Sequence, residues 1–355
     1  MKIILSGGGT LGSVTPLLAL VDQLKQDQSI DFLWLGTKAG PEHFLVEQAQ
    51  LKFIAIPAGK WRRYFSLKNI FDILKVLTGL IKSLYLMYKL DPQVVVVAGG
   101  FVGVPVGWAA WAWGVPLIIH QQDVEIGLAN RLLGWCAAKI TTTWPVASGG
   151  FFPDKTKVIG TPLRKIFQQP VDKQQILSAL GFNENLPVIL VIGGGTGAEF
   201  LNKLIAQNLD GLKKVCQIIH ITGINKSANH NSDKNYKTYE LVTNKISEYL
   251  AVADLVLSRA GMGLISELAY FAKPSIIVPL PNTHQEKNAQ YLHQHNAALV
   301  IEQSQLTGDK LINIVHRLNS DPESLIKLGI NLKALFPQNS AGQLAEIVMR
   351  AAKKI

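Results

Sequence analysis

The residues best placed to do chemistry are glycines. Gly-Gly-Gly-Thr occurs twice, at Gly7–Thr10 and Gly193–Thr196, each time directly after a β-branched run, Lys2–Ser6 and Val188–Ile192. A helix-like stretch follows each copy, Leu17–Lys25 and Glu199–Asn208. A buried strand, a glycine turn and a helix opening just behind it form a unit that can hold phosphate. The first N–H groups of the helix have no partner, the helix dipole presents its positive end, and glycine lets the backbone approach an anion. Two such units in one chain point to two Rossmann-like halves and a cleft enzyme with a nucleotide-linked substrate.

A third segment, Leu255–Glu267, reads as strand, glycine turn, helix. Its helix start near Met262–Leu264 can receive a diphosphate. Glu267, one turn in, can accept two hydroxyl hydrogen bonds from a ribose, or can serve the helix dipole as a first-turn carboxylate. His284–Ala289 opens another helix after a proline-containing loop, where Gln285 either reads a sugar hydroxyl or only starts the helix. The first copy also contains the spacing G-x-G-x-x-G at Gly7, Gly9 and Gly12. Gly36-Thr37-Lys38 stands where an acidic ribose-binding residue is expected, which argues against a dehydrogenase.

These loops need a scaffold. Strands are predicted at 2–6, 31–35, 52–56, 94–98, 116–120 and 138–142, with helices between them, which indicates a parallel sheet covered on both faces. A second series begins with strands near 187–192, 216–222, 254–257, 275–279 and 297–301. Helices are expected near 199–208, 246–251, 263–271, 286–295, 306–318 and 322–333, and a last helix, Ala341–Lys354, is expected to pack back onto the first domain. The polar stretch Lys226–Tyr239 reads as a loop. The domains expected are 1–163, 164–340 and the returning helix 341–355, with the boundary near Gly160–Pro170.

A chain of 355 residues, 48% of them hydrophobic, suffices for two cores. The two cysteines, Cys136 and Cys216, are expected as buried thiols in a reducing compartment. The start, Met1–Leu5, turns too quickly to glycine for a signal peptide, so a cytoplasmic protein is expected. The uncharged stretch Val94–Ile119 is long enough to span a bilayer, but its five glycines and two prolines fit strand, loop, helix and strand better. A net charge of +10 argues for an anionic partner. With no zinc-ligand spacing, RNP-like motif or arginine run, nucleic acid is not that partner.

Lys60–Lys89 is basic and aromatic. It opens Lys60-Trp61-Arg62-Arg63-Tyr64-Phe65, and lysines then recur at 68, 75, 82 and 89. A seven-residue step keeps them on one helix face. The pattern fits a helix lying on an anionic membrane surface, or a core helix with a solvated lysine face.

Together these motifs, in their order along nearly the whole chain, resemble the MurG family, which transfers N-acetylglucosamine from UDP-N-acetylglucosamine to undecaprenyl-diphosphate-linked muramyl-pentapeptide. Gly8–Pro16, Ala98–Pro105 and Gly193–Ala198 are similar to its three glycine loops, His120–Asn130 to the segment after the second, and Gly160–Arg164 to its hinge. Arg259–Glu267 and His284–Ala289 are similar to its donor-binding motifs. The resemblance implies an α/β fold of the GT-B type, two Rossmann-like domains facing a cleft. It implies that Met262, Gly263, Leu264, Ile265, Ser266 and Glu267 contact uridine, diphosphate and ribose, that Gln285 contacts the sugar, and that Gly195 and Arg164 lie near the phosphates. The uracil-edge position falls on Val242 or Thr243. Thr10, Leu11 and Gly12 would approach the transferred sugar, and Gly99, Gly100, Phe101 and Gly103 the acceptor diphosphate. The enzyme would be peripheral at the cytoplasmic face of the plasma membrane, through Lys60–Lys89.

The chain departs from the family pattern in three places. Leu11 and Ser13 stand where the first loop has glycine and histidine, Gly195 where the third has serine, and Gln121-Gln122-Asp123 where the family has Glu-Gln-Asn. The catalytic positions therefore fall on Ser13, which has little basicity, and on Asp123, which also lies against the donor. Asp123 is read either as the general base that takes the muramyl hydroxyl proton in a single inverting displacement, or as the cap of a helix beginning near Val124. A helix N-terminus and an arginine can stabilise departing UDP without metal. No Asp-x-Asp pair is placed for a divalent ion, so neither metal nor cofactor is expected. Transfer to another lipid acceptor and a non-catalytic UDP-sugar-binding role are the alternatives.

Overall fold

A computed structural model describes residues 1–9, 12–40, 42–59, 68–194, 197–226 and 233–353, with the backbone alone at 68–71 and 318–319. The chain divides into two units, Met1–Lys165 with Pro337–Ile355, and Ile166–Phe336.

The first unit holds β1 (Lys2–Ser6), β2 (Asp31–Gly36), β3 (Lys52–Ala55), β4 (Val94–Val97), β5 (Leu117–Gln121), β6 (Lys139–Thr142) and β7 (Thr156–Val158). They form one parallel sheet in the order β3-β2-β1-β4-β5-β6-β7. β4 is four valines, all buried, because helices cover both faces of a parallel sheet and every side chain needs an apolar neighbour. One face packs on the helix Thr15–Leu24 through Leu17, Leu18 and Val21. The last helix, Ser340–Ala352, closes the same core with Leu344, Ala345, Val348 and Ala352. The other face packs on the helix Gly103–Ala112.

The second unit holds β8 (Val188–Ile192), β9 (Gln217–Ile221), β10 (Tyr236–Tyr239), β11 (Leu255–Ser258), β12 (Ser275–Ile277) and β13 (Leu299–Val300), parallel in the order β10-β9-β8-β11-β12-β13. Each sheet reverses direction of growth once, between β1 and β4 and between β8 and β11. At such a point the loops leaving the two central strands diverge and open a crevice at their carboxyl ends. The glycine loops lie there.

Several expectations change. Tyr236–Tyr239, expected inside a loop, is a strand that pairs with β9, anchored by the fully buried Tyr236. The edge strand β7 and the helix Lys173–Leu180 were also not anticipated. Val94–Ile119 is strand, helix and strand, and no helix among the described residues is long and apolar enough to cross a membrane. Cys216 is fully buried, its thiol pushed up to about 12 by burial, while Cys136 is half-buried, and both are free.

Candidate active site

In the first unit the loop after β1 meets the loop after β4. Gly100 has φ +84°, and a Cβ there would collide with the Gly8 carbonyl oxygen, so the two loops touch backbone to backbone. Gly99 has φ +89°, and no atom lies within 4 Å of the place its Cβ would take, so this edge of the loop is open. Phe101 is half-buried. Gly103 is buried and donates its N–H to the Gly100 carbonyl at 3.1 Å; it serves the close packing of its helix rather than a ligand.

The β1 loop is held from several sides. Trp34 Nε1 donates to the Gly7 carbonyl at 3.1 Å, and the Gly9 N–H donates to the Glu42 carboxylate at 3.1 Å. Ser13, expected as catalytic, is buried beneath the loop with its hydroxyl 3.4 Å from the Gly8 carbonyl, a position that shapes the loop. Gly12 is half-buried; Thr10 and Leu11 lie outside the described residues.

Asp123 lies in the turn after β5 and is half-exposed. The helix it was expected to cap begins at Leu128, with Gly127 before it, which overturns the capping role. Gln121 holds this turn. Its amide nitrogen donates to the carbonyls of Asp123 (2.8 Å) and Glu125 (3.0 Å), and its amide oxygen accepts from Asn130 at 2.8 Å. Behind it His120 is fully buried with Nδ1 3.0 Å from the Thr141 hydroxyl; burial pulls it down to about 3, so the ring is neutral. Arg164 lies in this unit, its Nε 3.6 Å from the Asp22 carboxylate.

In the second unit the loop after β8 carries Gly194 at φ +85° and Gly197 at φ +69°, and a Cβ on Gly197 would collide with the Thr222 carbonyl oxygen. Gly195 and Thr196 lie outside the described residues. A pocket of about 500 Å³ opens beside this loop, lined among others by Gly193, Gly197, Lys226, Arg259, Gln285 and Gln303. Arg259, directly after β11, is buried. Its guanidinium donates to the carbonyls of Val278 (3.1 Å) and Pro279 (3.2 Å) and to Gln303 Oε1 (2.7 Å), and lies 5.9 Å from the Phe200 ring centroid. Burial lowers its pKa, and among the described residues no carboxylate pairs with it. A buried cation with only neutral partners leaves positive potential for an anionic ligand.

Gly261 precedes the helix Met262–Tyr270 in extended conformation. The N–H of Ile265 already donates to the Gly261 carbonyl at 3.1 Å and its side chain is fully buried, so the expected contact from Ile265 is not available. Met262 and Ser266 are also buried, and the Ser266 hydroxyl donates to the Gly263 carbonyl at 2.6 Å. That leaves the N–H groups of Met262, Gly263 and Leu264 and the half-buried Glu267 as the candidate ligand contacts at this helix start. Gln285 Oε1 accepts from Leu280 N–H at 3.1 Å, which fixes the side chain at the pocket edge. Val242 and Thr243, in the turn after β10, are both half-buried.

A buried relay backs the pocket. His220 on β9 places Nδ1 3.0 Å from the Tyr236 hydroxyl and Nε2 3.0 Å from Asn202 Oδ1. Burial lowers it to about 4, so one nitrogen donates and the other accepts. Asn202 then donates to the carbonyls of Thr222 (3.0 Å) and Lys226 (3.2 Å), fixing the chain that presents Lys226. Sequence reasoning assigned no role to Glu42, Gln121, Lys226 or this relay, and named Arg259 only as the first residue of a donor-binding motif. Arg259 carried a usable signal, since the residue leaving the carboxyl end of a central parallel strand faces the crevice.

Residues 3–142 match the glycosyltransferase family 28 N-terminal domain and residues 188–343 its C-terminal domain. A Clostridium kluyveri protein described as UDP-N-acetylglucosamine--N-acetylmuramyl-(pentapeptide) pyrophosphoryl-undecaprenol N-acetylglucosamine transferase is 34% identical over 354 residues, 98% of each chain. One of the same description from Lachnoclostridium phytofermentans is 37% identical over 332 residues, 92% of this chain and 93% of its own. Among solved structures, Acinetobacter baumannii MurG has a TM-score of 0.73 at 24% identity, with 98% of this chain and 99% of the other covered. The Staphylococcus aureus MnaA–UDP structure has a TM-score of 0.72 at 13% identity, with 100% and 97% covered. These likenesses carry the fold, which is GT-B.

Proposed function

The chain belongs to the MurG family, and from that premise we propose that it transfers N-acetylglucosamine from UDP-N-acetylglucosamine to undecaprenyl-diphosphate-linked muramyl-pentapeptide. The observation that carries the reading at the site is the pocket beside Gly197, where Arg259 and Lys226 stand next to a glycine loop. UDP is the ligand for this pocket. Its diphosphate meets the N–H groups of Met262, Gly263 and Leu264, its ribose hydroxyls meet Glu267, its uracil lies against Val242 or Thr243, and Gln285 meets the sugar. Gly195 belongs to the same loop. Arg259 shapes the wall and supplies potential, and Lys226 reaches the phosphates.

In the first unit, the open edge at Gly99, with Gly100 and Phe101 beside it, receives the acceptor diphosphate. Thr10 to Gly12 approach the sugar being transferred, and Arg164 meets the phosphates. Asp123 is the general base. Its carboxylate takes the proton of the muramyl hydroxyl as that oxygen bonds to the anomeric carbon. The bond to UDP breaks on the opposite face, and its electron pair leaves on the β-phosphate, where fixed N–H groups and positive charge stabilise it. The configuration inverts. Gln121 fixes the turn that carries the base.

The acceptor is lipid-linked, and the first unit carries a matching surface. Along the helix Lys68–Leu90, Ile73, Leu74, Leu77, Ile81, Tyr85 and Tyr88 point outward, with Ile81 68% and Tyr88 69% exposed. These aliphatic and aromatic side chains face solvent instead of a core, beside the exposed Lys75, Lys82 and Lys89. Tyr88 stacks on Trp113 with ring centroids 5.5 Å apart. An apolar face with interfacial aromatics and flanking lysines suits the cytoplasmic surface of an anionic membrane. Residues 60–67, the basic-aromatic opening of this segment, lie outside the described residues.

The experiment is UDP release by purified protein given UDP-N-acetylglucosamine, with the lipid-linked muramyl-pentapeptide, with diacylglycerol, or with neither. Release with the muramyl acceptor alone is expected. Release with diacylglycerol instead, or donor binding with no release, overturns the assignment.

A further inference from the structure

A fully buried carboxylate sits under the first glycine loop. Glu42 opens the helix Glu42–Gln48 and is 0% exposed. One carboxylate oxygen accepts from the Thr37 N–H at 2.7 Å and from the Thr37 hydroxyl; the other accepts from the Gly9 N–H at 3.1 Å. A Cβ on Gly8 would collide with this carboxylate, so the loop lies directly against it. Among the described residues no cation pairs with it. Burying a carboxylate without a counter-charge is costly unless donors compensate, and here they are two backbone N–H groups and one hydroxyl.

We propose that Glu42 is the positioning residue of the first glycine loop in the transfer reaction. It is an internal anion in the place where loops of this type hold a ligand's phosphate, and it fixes the loop at Gly8 and Gly9. A glycine loop ahead of a helix presents N–H groups that need an acceptor. In the second unit Lys226 and Arg259 line the pocket beside the equivalent loop, the exposed Glu199 there is paired with Lys203 at 2.7 Å, and the acceptor must arrive with a ligand. In the first unit the protein supplies the acceptor at the Gly9 N–H, which holds this part of the loop before substrate binds. A glutamine at 42 fills the same volume but accepts on one oxygen only, and turns an N–H₂ toward a donor. The inference rests on the reading that this loop faces the transferred sugar.

The test uses the full-length Glu42→Gln protein, with Thr37→Val as a milder second variant. Circular dichroism checks folding, calorimetry with UDP checks the donor site, hydrogen exchange of residues 7–14 reads the loop, and UDP release with lipid-linked acceptor gives kcat. Glu42→Gln is expected to bind UDP within about twofold of wild type, because a site in the other unit shares no partner with Glu42. It should exchange faster across residues 7–14 and lose about 10- to 100-fold in kcat with smaller changes in KM, the mark of a misplaced group. Thr37→Val should show the same changes at smaller size. Unchanged exchange in a folded variant overturns the proposal, as does a loosened loop with wild-type kcat. If Glu42→Gln does not fold, Thr37→Val decides by the same two readouts. A wild-type protein that releases no UDP with the acceptor sinks the functional reading instead, and exchange alone then decides whether Glu42 holds the loop.

Discussion

The two Gly-Gly-Gly-Thr loops are identical in sequence and sit at equivalent points of two parallel sheets, yet what is packed against them differs. The first is packed between the Gly100 backbone, Trp34 and the Glu42 carboxylate. The second leans on the Thr222 carbonyl and opens to a pocket with Lys226 and Arg259. The glycines provide only close approach and free N–H groups. The charge brought up by neighbours far along the chain decides whether the loop is completed from within or by a ligand.

The largest effect that sharpens this contrast is on turnover alone. Asp123→Asn should lower kcat by about a hundredfold or more while leaving the UDP dissociation constant unchanged by calorimetry. Loss of UDP binding in that variant would place nucleotide in the first unit and break the comparison. The reverse pattern is expected at Arg259. Arg259→Met removes the buried positive charge beside the pocket and leaves the carbonyls it binds without their donor, so the UDP dissociation constant should rise about tenfold, about 1.4 kcal/mol. Wild-type affinity there would remove the cation from the account of the second loop.

Acid should weaken both units. His120 and His220 are held at about 3 and about 4, below the ordinary 6.5, so the unfolded chain binds more protons and stability falls as pH drops below 6.5 toward those values. Between pH 7 and pH 5 each contributes a loss on the order of 2 kcal/mol. Urea titrations that give the same stability at both pH values would contradict this. A smaller effect, on the order of tenfold, is expected for binding to anionic vesicles when Ile81 and Tyr88 are both replaced by glutamate, with UDP affinity untouched. Cosedimentation equal to wild type would move the membrane contact off this face. The smallest is none at all. A chelator should leave turnover unchanged, and a loss restored by added divalent cation would bring a metal into phosphate binding.

The parallel sheets were legible because strands such as Val94–Val97 are buried on both faces and read as unbroken apolar runs. The glycine loops were legible because no other residue tolerates their backbone. β10 was not, because an edge strand of the composition Tyr-Lys-Thr-Tyr carries one buried anchor among polar residues, and its pairing is set by β9 rather than by its own pattern. The helix Lys173–Leu180 was missed although its ends are marked, by Asp172 accepting from Gln175 N–H at 3.1 Å and by Gly181 at φ +67°, because it opens in a polar stretch. At the site, the segment Arg259–Glu267 could be found from sequence, but Glu42 could not. Its meaning depends on which side of the Gly9 N–H its helix starts, and that is a tertiary fact.

The return of the final helix has a consequence for how the chain is made. Leu344, Ala345, Val348 and Ala352 complete a core whose other side is Leu17, Leu18 and Val21. The second unit, Ile166–Phe336, is continuous and leaves the ribosome whole, whereas the first must wait, with one apolar face uncovered, until the helix Ser340–Ala352 has been translated. A premature stop near residue 337 would therefore spare the later half of the protein and cripple the earlier one.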